Sequence, residues 1–160
     1  MRRHSLPIFA LLAMLLPVQA WTAVVNLKIT IQSQSLPEPF VIADQSVLER
    51  FNVGTGPGTN RFVPQSFIVN WERGTVGAPS TDLKVYHVEF LTSRTGKNRY
   101  RVSYVYDAAK QQGYVFLPGE NDPRYAENVY LIYRHGIEGN WFLAWSEWDD
   151  VFRQLLRNQR

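Results

Sequence analysis

A histidine, a glutamate and a second, distant histidine are the residues of this chain whose types and spacing suggest chemistry. His87 and Glu89 are separated by one residue in a run rich in strand-forming residues, so their side chains would share one face of a strand. With His135 or Asp107 nearby, such a set could hold a metal ion or act as an acid–base pair. The simpler interpretation, a hydrogen-bonded packing histidine beside Tyr106, is favoured. A small hydrolase or metal-dependent enzyme using His87, Glu89 and His135 is therefore the alternative function.

The other familiar catalytic patterns are absent from the sequence. The chain has no cysteine, which removes thiol nucleophiles and cysteine metal ligands. A serine nucleophile at Ser103 or Ser146 would lack the Gly-x-Ser-x-Gly elbow, and Ser146 is better explained as a helix cap. The glycine-rich residues 54–58 lack the Lys-Ser/Thr of a phosphate-binding loop. We therefore predict no catalytic residue, no metal and no cofactor.

Two successive β-hairpins over residues 83–118 would position these side chains. A tight turn over residues 95–98, with glycine first, would set the register. That register predicts cross-strand pairs, which are His87–Tyr106, Glu89–Tyr104, Leu91–Val102, Tyr106–Tyr114 and Tyr104–Phe116. One face of the hairpins would then belong to the core and hold Val88, Phe90, Val105, Val115 and Leu117.

The opposite face of the hairpins is the candidate ligand-binding surface. It combines aromatic rings with polar groups, and its members are His87, Glu89, Tyr104, Tyr106, Tyr114 and Phe116. Glu89 would need a hydrogen-bond partner there, and the hydroxyl of Tyr104 could supply one. Three interpretations stay open for this face: a second core layer under a helix, a cavity for an apolar or sugar-like ligand, or a surface for a protein partner.

The first twenty residues have the pattern of a signal peptide. Arg2 and Arg3 precede an apolar run that is too short to span a bilayer, and Ala20 ends a typical cleavage site. We predict a signal peptide over residues 1–20, a single domain over residues 21–160, a secreted or periplasmic protein, and no membrane span after cleavage. Cleavage would leave 15 basic against 14 acidic residues, so the near-neutral charge argues against nucleic acid as a partner.

The remaining segments predict further strands and two helices. Residues 24–33 alternate, with Leu27, Ile29 and Ile31 on the buried side, and residues 40–42 would pair with them. A short helix near residues 46–52 has Asp44 or Ser46 as its cap. Residues 67–71, 129–134 and 141–145 would be strands, and residues 119–128 a polar loop. A C-terminal helix capped by Ser146 has an apolar stripe of Trp148, Val151, Phe152 and Leu155.

These patterns together predict an α+β fold, a twisted antiparallel sheet of about six to seven strands with the C-terminal helix packed on one face. The order of "ERF", "GPG", "FIVNW", "YVFLPG" and "HGIEGNWF" resembles that of a group of small exported bacterial proteins of uncharacterised function. That resemblance implies no activity, cofactor or site residue. The function predicted from the residues is an exported, non-catalytic binding or interaction domain for an unknown ligand.

Overall fold

One antiparallel sheet of seven strands organises the part of the chain described by a computed structural model, which comprises residues 24–56, 67–92, 98–129 and 136–158. The strands are β1 (Asn26–Gln32), β2 (Phe40–Ile42), β3 (Thr75–Val76), β4 (Val85–Thr92), β5 (Asn98–Asp107), β6 (Gln112–Phe116) and β7 (Trp141–Leu143), in the spatial order β2-β1-β4-β5-β6-β7-β3. The helices are α1 (Gln45–Arg50), α2 (Tyr125–Val129) and α3 (Ser146–Arg157), with a 3₁₀ turn at Trp71–Arg73. The predicted α+β class is confirmed.

The C-terminal helix α3 covers one face of the sheet, which we call the inner face. Trp148 and Phe152 are fully buried there. The ring of Phe152 lies 4.7 Å from that of Tyr86 and 4.8 Å from that of Tyr104, in edge-to-face geometry. The predicted stripe therefore docks the helix, with Val151 and Leu155 half-buried beside it. The opposite side of the sheet is called the outer face.

The predicted register between β4 and β5 is wrong by three residues. The last pair of the hairpin is Thr92 with Asn98, so five residues separate the strands instead of a two-residue turn. Consequently His87 lies opposite Ser103, and Tyr104 lies opposite Tyr86. Side chains alternate between the two faces of a sheet. An odd register shift therefore places every side chain of β5 on the opposite face from the one predicted relative to β4.

The predicted register between β5 and β6 is wrong by one residue. Tyr106 pairs with Gly113, and Asp107 pairs with Gln112. The Asp107 carboxylate accepts hydrogen bonds from the backbone amides of Ala109 and Lys110, which builds a tighter turn than the pattern of the sequence suggests. Tyr114 and Phe116 therefore lie on the outer face. Val105, predicted to share a face with Val88, is on the outer face as well, although it is buried.

A β-bulge alters the expected face pattern of β1. The pairing with β4 shifts between Asn26 and Lys28, so the alternation seen at Ile29 and Ile31 does not extend to Leu27. Leu27 was predicted to be buried but is 51% exposed. Asn26 is buried instead, and its carboxamide donates to the carbonyls of Leu48 and Phe51, which ties α1 to the sheet.

Several segments between the hairpins differ from their predicted structures. In residues 67–71 only Val69 pairs, through an isolated bridge to Ala144. Residues 119–128 were predicted as a loop, but they contain most of α2, which ends at Val129. The predicted strand over residues 129–134 otherwise lies outside the described residues, as do His135 and the predicted signal peptide. The predicted last strand is confirmed as β7.

The two longer helices begin in different ways. Asp44 caps α1, because its Oδ1 accepts from the backbone amides of Ser46 at 3.0 Å and Val47 at 3.2 Å. The cap position of α3 is Trp145, which makes no side-chain cap, so the predicted Ser146 cap is wrong. The Ser146 hydroxyl donates to Glu147 at 3.0 Å instead. With twelve residues in α3, the described part of the chain has no helix long and apolar enough to cross a membrane.

Candidate binding cleft on the outer face

The six residues predicted to form one ligand-binding face lie on two faces of the sheet. Tyr104 and Tyr106 are on the inner face, where both rings pack against Phe152. The outer face holds His87, Glu89, Tyr114 and Phe116. The prediction of a single face is therefore wrong, for the register reason given above.

Tyr104 binds the buried carboxylate of Asp149, which lies in the first turn of α3. Its hydroxyl donates to Oδ1 of Asp149 at 2.6 Å, and the backbone amide of Gly113 donates to Oδ2 at 2.8 Å. A side chain on Gly113 would collide with Tyr104 and with this carboxylate, so the close approach requires glycine. Glu89, the predicted partner of Tyr104, has no contact with it because the two lie on opposite faces.

Burial raises the pKa of Asp149 to about 6, against the effect of its hydrogen bonds from Tyr104 and Gly113, which favour the ionised form. Only 3% of the residue is exposed. The position follows Trp148 directly and flanks the apolar stripe at helical spacing. The position of Asp149 beside this stripe, together with Gly113 inside β6, is the signal in the sequence that could have identified the contact between Asp149 and Tyr104.

Asn128 attaches α2 to β5, because its side chain makes the two backbone hydrogen bonds that a residue of a neighbouring strand would make. Its Oδ1 accepts from the backbone amide of Arg101 at 2.8 Å, and its Nδ2 donates to the Arg101 carbonyl at 2.7 Å. The register of β6 would place Pro118 opposite Arg101, but proline has no amide hydrogen to donate. The side-chain amide of Asn128 thus takes the place that a β6 residue would have had.

Glu89 is the centre of an ion-pair cluster on this face. Its Oε2 accepts from Nε of Arg101 at 2.8 Å and lies 3.6 Å from Nη1 of Arg99. Arg101 also pairs with Glu127 of α2 at 2.9 Å. The Glu89 carboxylate is therefore held between cations, which makes it a structural link between β4, β5 and α2.

Arg124 organises a second polar cluster, next to the first. Its Nε donates to Oδ1 of Asp122 at 2.8 Å, and its Nη1 donates to the Ser103 hydroxyl at 2.8 Å and lies 3.3 Å from Nδ1 of His87. Partial burial, and then the guanidinium charge, lower the pKa of His87. Hydrogen bonding from Arg124 lowers the pKa of Asp122. Both effects on His87 favour the neutral imidazole, and the contact with Arg124 orients the ring.

The loops before α2 and before β7 enclose an open cleft of about 690 Å³. Backbone hydrogen bonds join the two loops at their base, from Gly139 N to Leu117 O at 2.8 Å and from Leu117 N to Asn140 O at 3.1 Å. A Cβ atom on Gly119 would lie 2.7 Å from the Cα of Gly139, so the loops touch. The lining combines two aromatic rings with carboxylates, an amide and glycine backbone: Phe116, Gly119, Glu120, Asn121, Asp122, Pro123, Tyr125, Gly136, Glu138 and Gly139.

The ring of Phe116 is supported from the side by Trp141 of β7. The two ring centroids are 5.2 Å apart, and both residues are half-buried. Phe116 is thus the only one of the six predicted ligand-binding residues that lines this cleft. Sequence reasoning missed Glu120, Asp122 and Tyr125 because it treated residues 119–128 as an ordinary polar loop.

Ser103 and His87, which lie opposite each other on the outer face, are not arranged as a nucleophile and its base. The hydroxyl of Ser103 is a hydrogen-bond partner of Arg124, and Nδ1 of His87 faces the same guanidinium, so neither group activates the other. Among the described residues, no group of three or more His, Asp or Glu side chains is placed to hold a metal ion. Comparisons with protein-family models, with curated proteins and with solved structures find no match to this chain.

Proposed function

We propose that the protein is an exported, non-catalytic domain that binds a sugar-like ligand in the outer-face cleft. The observation that carries the proposal is the lining of the cleft, in which aromatic rings and oxygen acceptors converge on one space of about 690 Å³. Small-molecule sites have this character, namely a concave, partly aromatic surface with a few fixed polar groups.

Phe116 and Tyr125 supply the apolar part of the site. The C–H face of a saccharide ring can lie on an aromatic ring, and Trp141 holds Phe116 in place for such a contact. Glu120 and Glu138 supply acceptors for hydroxyl donors, and hydrogen bonds to charged groups are stronger than those to neutral ones. A ligand with one apolar face and several hydroxyl groups therefore matches the cleft.

The enzymatic alternative has weaker support. Glu89 forms ion pairs with Arg101 and Arg99, so its carboxylate is engaged in linking the strands. His87 lies opposite Ser103, next to Arg124, and does not face Glu89 across a substrate-sized space. His135 lies outside the described residues, so no geometry favours a site made of the three.

Titration of the mature protein with a panel of neutral oligosaccharides tests the proposed function. Tryptophan fluorescence is a suitable signal because Trp141 contacts the Phe116 ring. Phe116→Ala should weaken binding by about two- to tenfold, since an aromatic contact contributes about 0.5–1.5 kcal/mol beyond its buried area.

Tyr114→Ala is the matched control. Tyr114 lies two residues away on the same strand and face, also half-buried, but does not line the cleft. The Tyr114→Ala variant should bind the saccharide with the same affinity as the unaltered protein. The proposal is wrong if no saccharide gives a saturable signal, or if the two variants lose affinity equally.

A further inference from the structure

A second pocket lies on the outer face two strands away from the cleft, between the turn after β1 and the start of β4. It measures about 740 Å³ and is lined by Gln32, Ser33, Gln34, Ser35, Lys84, Val85 and His87. The Ser33 hydroxyl donates to the carbonyl of Val85 at 2.8 Å, and the Leu36 amide donates to the Ser33 carbonyl at 3.1 Å. These bonds give the turn a fixed position beside β4.

The side chains that line this pocket are mainly hydrogen-bond donors. Lys84 provides an ammonium group that forms no ion pair within the described residues, and Gln32 and Gln34 provide amide donors. The His87 ring contributes one more hydrogen-bond donor. A guanidinium can only donate, so Nδ1 of His87 must accept from Arg124, which leaves the proton of the neutral ring on Nε2.

The charge around this pocket is positive and differs from that of the cleft. None of its lining residues is a carboxylate, whereas three carboxylates line the cleft. Asp122 is the nearest acid to His87 that influences it, and two bonds to Arg124 satisfy that carboxylate. The cations of this region are Arg124, which contacts Nδ1 of His87, and Lys84, which lines the same pocket as His87.

We propose that this pocket is a separate site for an oxyanion of the phosphate, sulfate or carboxylate type, bound by Lys84 and by Nε2 of His87. The side-chain amides of Gln32 and Gln34 would complete the set of donors. The two pockets have no described lining residue in common, although Arg124 lies between them and contacts both Asp122 of the cleft and His87 of this pocket.

The test is an NMR titration of the imidazole of His87 in the mature protein, followed over pH with increasing inorganic phosphate. Sodium chloride at equal ionic strength supplies the reference. A bound anion favours the imidazolium, so phosphate should raise the pKa of His87 saturably, by about half a unit or more. Sulfate and acetate, titrated in the same way, identify which oxyanion geometry the site prefers.

Two lysine variants make the test specific. Lys84→Gln should abolish the saturable shift, and Lys84 is exposed, so the fold is retained. Lys28→Gln removes a cation from the outer face of β1, away from the pocket, and should leave the shift unchanged. A shift no larger than in sodium chloride, or an equal shift in the Lys84→Gln variant, would overturn the proposal. Phe116→Ala should leave the phosphate response intact, which separates this site from the proposed saccharide cleft.

Discussion

Asp149 is a carboxylic acid held at the interface between α3 and the sheet. In the folded state its pKa is raised from 3.8 to about 6, so the folded protein binds this proton more tightly than the unfolded chain does. Stability falls with rising pH wherever the folded state holds more protons. The contribution of Asp149 is therefore most favourable at low pH and is lost as pH rises from about 4 through about 6. Since one pKa unit corresponds to about 1.4 kcal/mol, the loss is at most about 3 kcal/mol.

Asp149→Asn should remove this pH dependence. The carboxamide oxygen can accept from the Gly113 amide while its nitrogen donates to the Tyr104 hydroxyl, so the fold is retained. Urea unfolding at several pH values between 4 and 7 measures the effect. The stability of the unaltered protein minus that of the variant should decrease across this range. A constant difference would show that Asp149 titrates as in the unfolded chain.

Tyr104 shows what a register error does to an interpretation at the scale of single residues. With the predicted pairing, its hydroxyl would have supported Glu89 in a solvated site. In the observed pairing it is fully buried and binds Asp149. The composition of β5 correctly indicated a strand of aromatic residues in which the Tyr104 hydroxyl needs a hydrogen-bond partner. Alternation alone could not identify the partner, because the partner lies on a helix 45 positions later in the chain.

The helix α3 is the element whose docking was predicted most fully from the sequence. Its stripe repeats at three- and four-residue spacing, and Trp148 packs edge-to-face on Phe51 of the turn after α1, with ring centroids 5.1 Å apart. The helix therefore joins the sheet to α1 as well as covering the inner face.

Trp148→Ala should lower the free energy of unfolding by about 3–5 kcal/mol, the usual cost of removing a large buried aromatic side chain. Gln154→Ala, at an exposed position of the same helix, should change it by no more than about 0.5 kcal/mol. Urea denaturation of both variants makes the comparison. Similar midpoints for the two variants would contradict docking through Trp148.

The strands and helices could be predicted where local composition determines them, and their relative placement could not. The runs of Val, Tyr and Phe in β4 to β6 indicate strands, but the register depends on turns. The turn at Asp107 depends on one carboxylate that binds two amides, a choice with no distinct sequence pattern. The helix α2 escaped prediction for a similar reason. Its five residues have little apolar periodicity, and its position depends on Asn128 and Arg101.

At the scale of the whole molecule, the two faces of the sheet have different roles. The inner face is closed by α1 and α3 around a continuous apolar core. The outer face carries the ion-pair clusters and both pockets, which lie beside loops. Function is commonly located on loops that a rigid scaffold positions, and here one sheet positions the loops beside both pockets.

We propose that this domain is exported and that the mature chain begins at Trp21. The reason is the basic start, the apolar run and the small residue at position 20. Mass spectrometry of the protein recovered from an exporting bacterial host should give the mass of residues 21–160. Detection of an intact segment 1–20 on the exported protein would instead indicate an uncleaved N-terminal anchor.

The side-chain amide of Asn128 also has a protective consequence. Where β6 ends, the backbone amide and carbonyl of Arg101 would otherwise be open, and unpaired strand groups are templates for aggregation. The single side chain of Asn128 pairs with both of these backbone groups, so no further strand is needed at this position. The molecule thus shields part of its sheet from intermolecular strand addition at the same position where it anchors α2 below the ligand cleft.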